Sequence, residues 1–190
     1  MSLPPLAAQI LDFWFPPGTP GERHEWFRKD PAFDREIRER FGTALAAGLA
    51  GAYGDWCTSA RGALARIVLL DQYTRNAFRD TPAAFAGDPA ALATAEDAVE
   101  RAFDRELEPR ERAFVYMPFE HSESLQLQER SVALFAALAA DTGSTGQLPW
   151  AERHRDIIRR FGRFPHRNEI LGRASTPEEF EFLKEPGSRF

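Results

Sequence analysis

Cysteine is nearly absent: Cys57 is the only one in 190 residues. No intrachain disulfide can form, which excludes a disulfide-stapled secreted scaffold. Cys57 reads as a small semi-buried residue beside Trp56 at the start of a helix, because free cysteines behave mainly as small hydrophobes; a catalytic thiol is the alternative. Long apolar runs are missing too. The longest, residues 132–140, falls far short of the ~20 residues that span a bilayer. Near the N-terminus stand Leu6, Ile10, Leu11, Phe13 and Trp14, but there is no basic n-region and Asp12 interrupts them. That stretch does not read as a secretory signal. These absences predict a cytoplasmic protein with no membrane partner.

Signature loops are equally scarce. There is no Walker loop, no dinucleotide fingerprint, no His-Glu-x-x-His and no zinc-type cysteine pair. His154-Arg155-Asp156 matches the kinase catalytic-loop tripeptide, but no Gly-rich loop, lysine strand or Asp-Phe-Gly accompanies it. No motif names a cofactor, and no metal ligand set is assigned. Strand patterning is missing as well, since Val115-Tyr116 is too short and sits beside a proline. A formal net charge of -5 argues against a surface that coats nucleic acid.

What is present suits a globular helical chain. Hydrophobic residues make up 43%, enough for a core without staples at this length. The 16 Phe and 4 Trp carry much of the burial, each large ring removing on the order of 150–250 Å² from water. Helix starts are marked by a recurring pair: Asp30-Pro31, Thr81-Pro82, Asp88-Pro89 and Thr176-Pro177 each place a capping side chain before a proline. Glu179 completes a capping box with Thr176. Apolar residues then recur at helical spacing. Phe33, Ile37, Phe41 and Leu45 form one stripe, and Leu64, Ile67, Val68 and Leu70 another. Leu92, Val99 and Phe103 mark the next helix, and a short one from Pro109 stops at Met117-Pro118. The longest helix is predicted from Ser122 to Ala140, with Leu125, Val132, Phe135 and Leu138 inward. Another carries Trp150, His154, Ile157, Ile158 and Phe161 and closes at Gly162. The Gly/Pro/Thr-rich links at residues 16–23 and 141–147 are too short to divide domains. An all-α, single-domain antiparallel helical array over residues 1–190 follows.

Three polar segments interrupt these helices. Asp71, Arg75 and Asn76 end the third helix, either lining a pocket or terminating it, Asn76 as a left-handed cap. Glu120, His121, Ser122 and Glu123 put an imidazole among carboxylates, the ingredients of a general base or metal site; Ser122 and Glu123 also read as a helix N-terminus. Between Glu152 and Arg173 stand seven arginines against three acids. They either pair with acids on other helices or converge on an anion, which guanidinium groups grip with two parallel hydrogen bonds.

These segments carry a resemblance. Leu70-Asp71-Gln72-Tyr73-Thr74-Arg75-Asn76, Tyr116-Met117-Pro118-Phe119-Glu120-His121-Ser122-Glu123, Gln128-Glu129-Arg130-Ser131-Val132, and His154-Arg155-Asp156-Ile157-Ile158 through Gly172-Arg173 resemble the hallmark stretches of the bacterial domain of unknown function 924 family. The likeness runs from about Ile10 to Leu183. It departs at Tyr73-Thr74, where Phe-Pro is commoner. The resemblance implies an all-helical, tetratricopeptide-like arrangement and assigns no activity, substrate or catalytic residue. No 34-residue repeat is visible in this chain, so that likeness concerns helix stacking alone.

The leading functional expectation is a polar, Arg/His-lined pocket for a small anionic or phosphate-bearing ligand. Whether it is an enzyme stays open at this point. Arg163 and Arg167 would clamp the anion, His121 and His166 serve as acid and base, and Asp71, Glu120 and Asn168 orient them. One alternative is a tetratricopeptide-like interaction module that holds a protein partner. Another is a metal-dependent hydrolase using His121, Glu123 and His154.

Overall fold

The computed structural model describes residues 2–19, 21 and 23–189, and every regular element among them is helical. In chain order the helices are α1 (Pro5–Trp14), α2 (His24–Phe27), α3 (Pro31–Leu49), α4 (Ala60–Ile67), α5 (Thr74–Ala77), α6 (Asp88–Glu100), α7 (Pro109–Glu120), α8 (Leu125–Thr142), α9 (Leu148–Phe161) and α10 (Pro177–Phe182). No helix among the described residues is long and apolar enough to cross a membrane.

Two of the four cap-proline starts behave as predicted. Asp30 accepts the N–H groups of Ala32 and Phe33 at 2.9 and 3.1 Å, and Thr176 forms a full capping box with Glu179. Replacing Asp30 with Ala is expected to cost about 1 kcal/mol in urea denaturation, the usual loss of an N-cap; an unchanged midpoint would show that α3 needs no cap. The other two starts differ. Asp88 is the first residue of α6, and its carboxylate takes both arms of Arg75 at 2.9 and 3.1 Å. A charge-assisted bidentate pair outweighs a single cap bond. The N-cap position falls to Gly87, where a Cβ would stand 2.0 Å from the Leu70 carbonyl oxygen. Thr81-Pro82 opens only a short 3-10 turn, Pro82–Phe85.

The described residues of 1–79 and 83–118 form one compact unit. Its core is aromatic: the Trp14 ring meets Trp26, Phe33, Tyr73 and Phe114 at centroid distances of 5.5–6.0 Å. Phe33, Ile37 and Phe41 are buried together, as their spacing predicts. α4 does not stop at the first polar segment. It passes through a π-helical turn, Val68–Tyr73, with all six residues buried, and continues into α5. Asn76 is therefore inside a helix rather than a left-handed cap, and it donates to Asp34 at 2.8 Å. Burial would push the Asp34 carboxyl up, but hydrogen bonds from Arg79 and Asn76 outweigh it and hold it below its usual range. On α6 the buried face is Ala91, Thr94, Ala95 and Ala98, with Leu92 and Val99 only half-buried. Small side chains let α6 lie close against α4, which also carries small residues at Ala60, Gly62 and Ala63.

The described residues of 80–82 and 119–189 form the second unit. α8 and α9 pair across residues 143–147, each closed by a glycine at φ 71°, Gly143 and Gly162, a conformation that disfavours any side chain. Phe135, Ile157, Ile158, Phe164 and Phe182 supply apolar core. The start of α8 corrects the predicted register. α7 carries on through Pro118 to Glu120, and α8 begins at Leu125 instead of Ser122. Leu125 is 42% exposed, and the buried stripe reads Gln128, Ser131, Phe135, Leu138. Pro118 removes one helical hydrogen bond and crowds the preceding turn. The end of the helix is held from outside: Gln128 Nε2 donates to the Glu120 and Ser122 carbonyls, each at 2.6 Å.

Candidate functional site

The second and third polar segments meet within the second unit. Residues 121–124 connect α7 to α8, and three successive carbonyls around this link are gripped by two side chains. Gln128 takes those of Glu120 and Ser122, and Arg167 NH1 donates to that of His121 at 3.0 Å. His121 is thereby held by α8 on one side and by the turn Pro165–Arg167 on the other.

Phe164 is the hub of this region. Its ring is fully buried, with His154 edge-on at 5.5 Å, His166 tilted at 5.6 Å and the Arg167 guanidinium over its face at 4.5 Å. His154 Nδ1 lies 2.8 Å from the Trp150 carbonyl and 3.3 Å from Glu120 Oε1. A carbonyl only accepts, so neutral His154 carries its proton on Nδ1 and leaves Nε2 bare. Burial pushes His154 down to about 3; the Trp150 carbonyl opposes this, and the neighbouring His121 and Arg167 add to it. His166 is also lowered to about 3, first by burial and then by the Arg167 charge. At neutral pH both imidazoles are therefore uncharged, each with one donor and one acceptor, beside a permanent cation.

A second network frames this cluster. Arg173 binds both oxygens of Glu123 at 2.7 and 2.9 Å, while the Phe164 N–H donates to Glu123 at 2.8 Å. Burial raises the Glu123 carboxyl, and these hydrogen bonds more than reverse the effect. Arg173 Nε also donates to Asn168 Oδ1, and Asn168 Nδ2 donates to Ser175 and Glu179. Arg163 holds both oxygens of Glu179 at 2.6 and 2.8 Å and reaches the Ala174 carbonyl. Those contacts, the Arg163 hydrogen bond foremost, pull Glu179 down to about 2.

Of the predicted site residues, Glu120, His121, His166 and Arg167 are thus brought together, and Arg163 and Asn168 belong to the framing network. Asp71 lies in the first unit, where Gln72 donates to it at 2.6 Å and Arg75 sits 3.0 Å away. Of the ligand set expected for a metal hydrolase, Glu123 has both oxygens engaged by Arg173. Among the described residues no three His, Cys, Asp or Glu side chains group as a metal ion would require. A cavity of about 430 Å³ lies on the first unit, lined by Arg23, Phe33, Glu36 and Glu39 among others, and none of the predicted residues borders it.

Sequence reasoning placed His154 only in the metal reading and passed over Gln128. A signal for His154 was present: it falls on the apolar stripe of α9 with Ile157 and Ile158. A polar residue on a buried stripe needs a partner or a purpose. Gln128 carried the same signal: it stands seven residues before Phe135, on the predicted inward face of α8.

Comparison with known proteins agrees with the fold. No curated protein matches the chain. A solved structure of a protein of unknown function, ATU0120 from Agrobacterium tumefaciens, is 42% identical, covers 94% of this chain and 97% of its own, and superposes with a TM-score of 0.84. The model of the bacterial protein of unknown function family DUF924 matches residues 10–187. With nearly the whole length matched, and the segments that build the histidine cluster and its frame inside that match, this chain belongs to the DUF924 family.

Proposed function

We propose that the second unit binds a small anion through Arg167, His121 and His166, with Glu120 and His154 behind them as a proton-handling pair. One observation carries this reading: His154, His166 and Arg167 collect about the single ring of Phe164, with Glu120 beside His154 and the His121 carbonyl on Arg167. Packing alone would be served by apolar side chains, because burying ionisable groups carries a desolvation cost. Arg167 supplies a fixed charge that suits a carboxylate or phosphate. A neutral imidazole beside it, with one donor and one acceptor, can hydrogen-bond the bound molecule without adding charge. Arg163, Asn168 and Asp71 hold the fold and do not touch the ligand in this reading. A partner peptide would need an extended apolar groove, whereas this cluster is polar and buried, which suits a small ligand. The lone thiol supports a reducing, cytoplasmic setting.

Thermal melts in phosphate, sulfate and small carboxylates test the proposal. An anion at a hundredfold excess over its Kd stabilises the folded state by about 2.7 kcal/mol, roughly 5–10 °C for a chain of this size. Arg167→Lys and His166→Gln are each expected to remove most of that rise while keeping the unliganded protein folded. The absence of a saturable shift with any of these anions overturns the proposal.

A further inference from the structure

Two fully buried polar side chains on α8 are left over by the contacts described above. Gln128 and Ser131 stand at i and i+3 on one helix face, both with no exposed surface. The Gln128 amide is fixed in orientation, because its Nε2 must face the two carbonyls it serves at 2.6 Å. Its Oε1 therefore points away from them, and it meets no donor among the described residues. Ser131 Oγ has no partner among them either. That is unusual for a hydroxyl inside a helix, which normally returns to the carbonyl four residues back. Thr74, Thr94 and Thr142 do so, to Leu70, Ala90 and Leu138. Ser131 does not.

A buried acceptor without a donor is retained against a desolvation cost, so it calls for an explanation. Gln128 grips the residues on either side of His121, so one member of the pair is tied directly to the segment that carries the proposed anion site. We infer that the anion bound there carries a hydroxyl group, taken up by Gln128 Oε1 and Ser131 Oγ. A hydroxyl donates to the first and accepts from the second, satisfying both at once. Another anionic oxygen could not donate to Gln128. An ammonium could not accept from Ser131, and Arg167 disfavours a second cation nearby. The ligand class is thus a hydroxy-carboxylate or a hydroxyl-bearing phosphate ester. This inference rests on the proposed anion site.

Matched pairs of probes separate the two readings: acetate against glycolate, propionate against lactate, and ethyl phosphate against 2-hydroxyethyl phosphate, each titrated calorimetrically. In the wild-type protein the hydroxyl-bearing member is expected to bind at least roughly tenfold more tightly, since its analogue leaves buried polar groups unmet. Ser131→Ala should bring that ratio down several-fold, to the preference that Gln128 Oε1 alone supports, without changing affinity for the hydroxyl-free member. The same variant should melt no lower than wild type without ligand, because it deletes a desolvated hydroxyl and no bond. Equal affinities within each pair overturn the hydroxyl inference and leave the anion site standing; a trapped water in place of a ligand group would give that result. A wild-type preference undiminished in Ser131→Ala, or a lowered melting temperature of the free variant, also overturns it. If no probe of any pair binds, the anion site falls and the hydroxyl inference with it.

Discussion

Stability is expected to fall steadily as the pH drops from 6.5 towards 3, by about 1–2 kcal/mol for each of two histidines by pH 5. The groups responsible are His154 and His166, each lowered from 6.5 to about 3 in the folded protein, chiefly by burial. Their folded values lie below the unfolded ones, so between pH 3 and 6.5 the unfolded chain binds more protons. Stability therefore rises with pH across that window and is fully present above it. Glu179, held near 2 against 4.5 for a free glutamate, works in a separate and lower window. Its contribution is present above pH 4.5 and lost as the carboxyl protonates below. Urea denaturation at half-unit steps of pH separates the two. The double variant His154→Gln, His166→Gln should flatten the curve between pH 6.5 and 5 and leave the steeper acid limb. A wild-type protein whose stability stays level from pH 6.5 to 5 would mean that these imidazoles are solvated and that the buried cluster is wrongly described.

The second large effect belongs to Glu179. Its carboxylate is almost wholly buried and takes two hydrogen bonds from Arg163, one from Asn168 and one from the Thr176 N–H. Truncating it to Ala removes the capping box of α10 and strands Arg163 and Asn168 together. The expected loss is about 3 kcal/mol, the lower end for breaking a buried pair from one side, because Arg163 keeps some contact with water. Glu178 is the control one residue away. It pairs with Arg160 at 2.9 Å on the surface, and Glu178→Ala should cost less than about 1 kcal/mol. Similar losses from the two variants would show that the network around Glu179 adds nothing beyond ordinary surface pairing.

These predictions draw on features that were visible in the sequence to very different degrees. The caps of α3 and α10, the Phe33–Ile37–Phe41 stripe and the glycine closing α9 could all be read from a few neighbouring residues. Each depends on a backbone group and a side chain within one helical turn, and such interactions are settled locally. The polar segments were also recognisable as places where packing gave no reason for the residues present. Their convergence around Phe164 was not, because His121 and His154 lie more than thirty positions apart.

What sequence determined by itself was the helical class and several helix ends, the starts of α3 and α10 and the end of α9 among them, since caps, prolines and four-residue spacing act on backbone groups close by in the chain. Tertiary structure decided the rest. α7 runs through Pro118 because Gln128, from the next helix, closes its last carbonyl and one in the link beyond. Asn76 stays helical because Asp34 of α3 accepts from it. Arg163 pairs with Glu179 and Arg173 with Glu123, and Arg167 stacks on Phe164 and donates to the His121 carbonyl. Seven arginines in one segment look alike as letters. Only their positions in space determine which groups each can reach, how much water each must lose, and which one comes to lie beside the histidines.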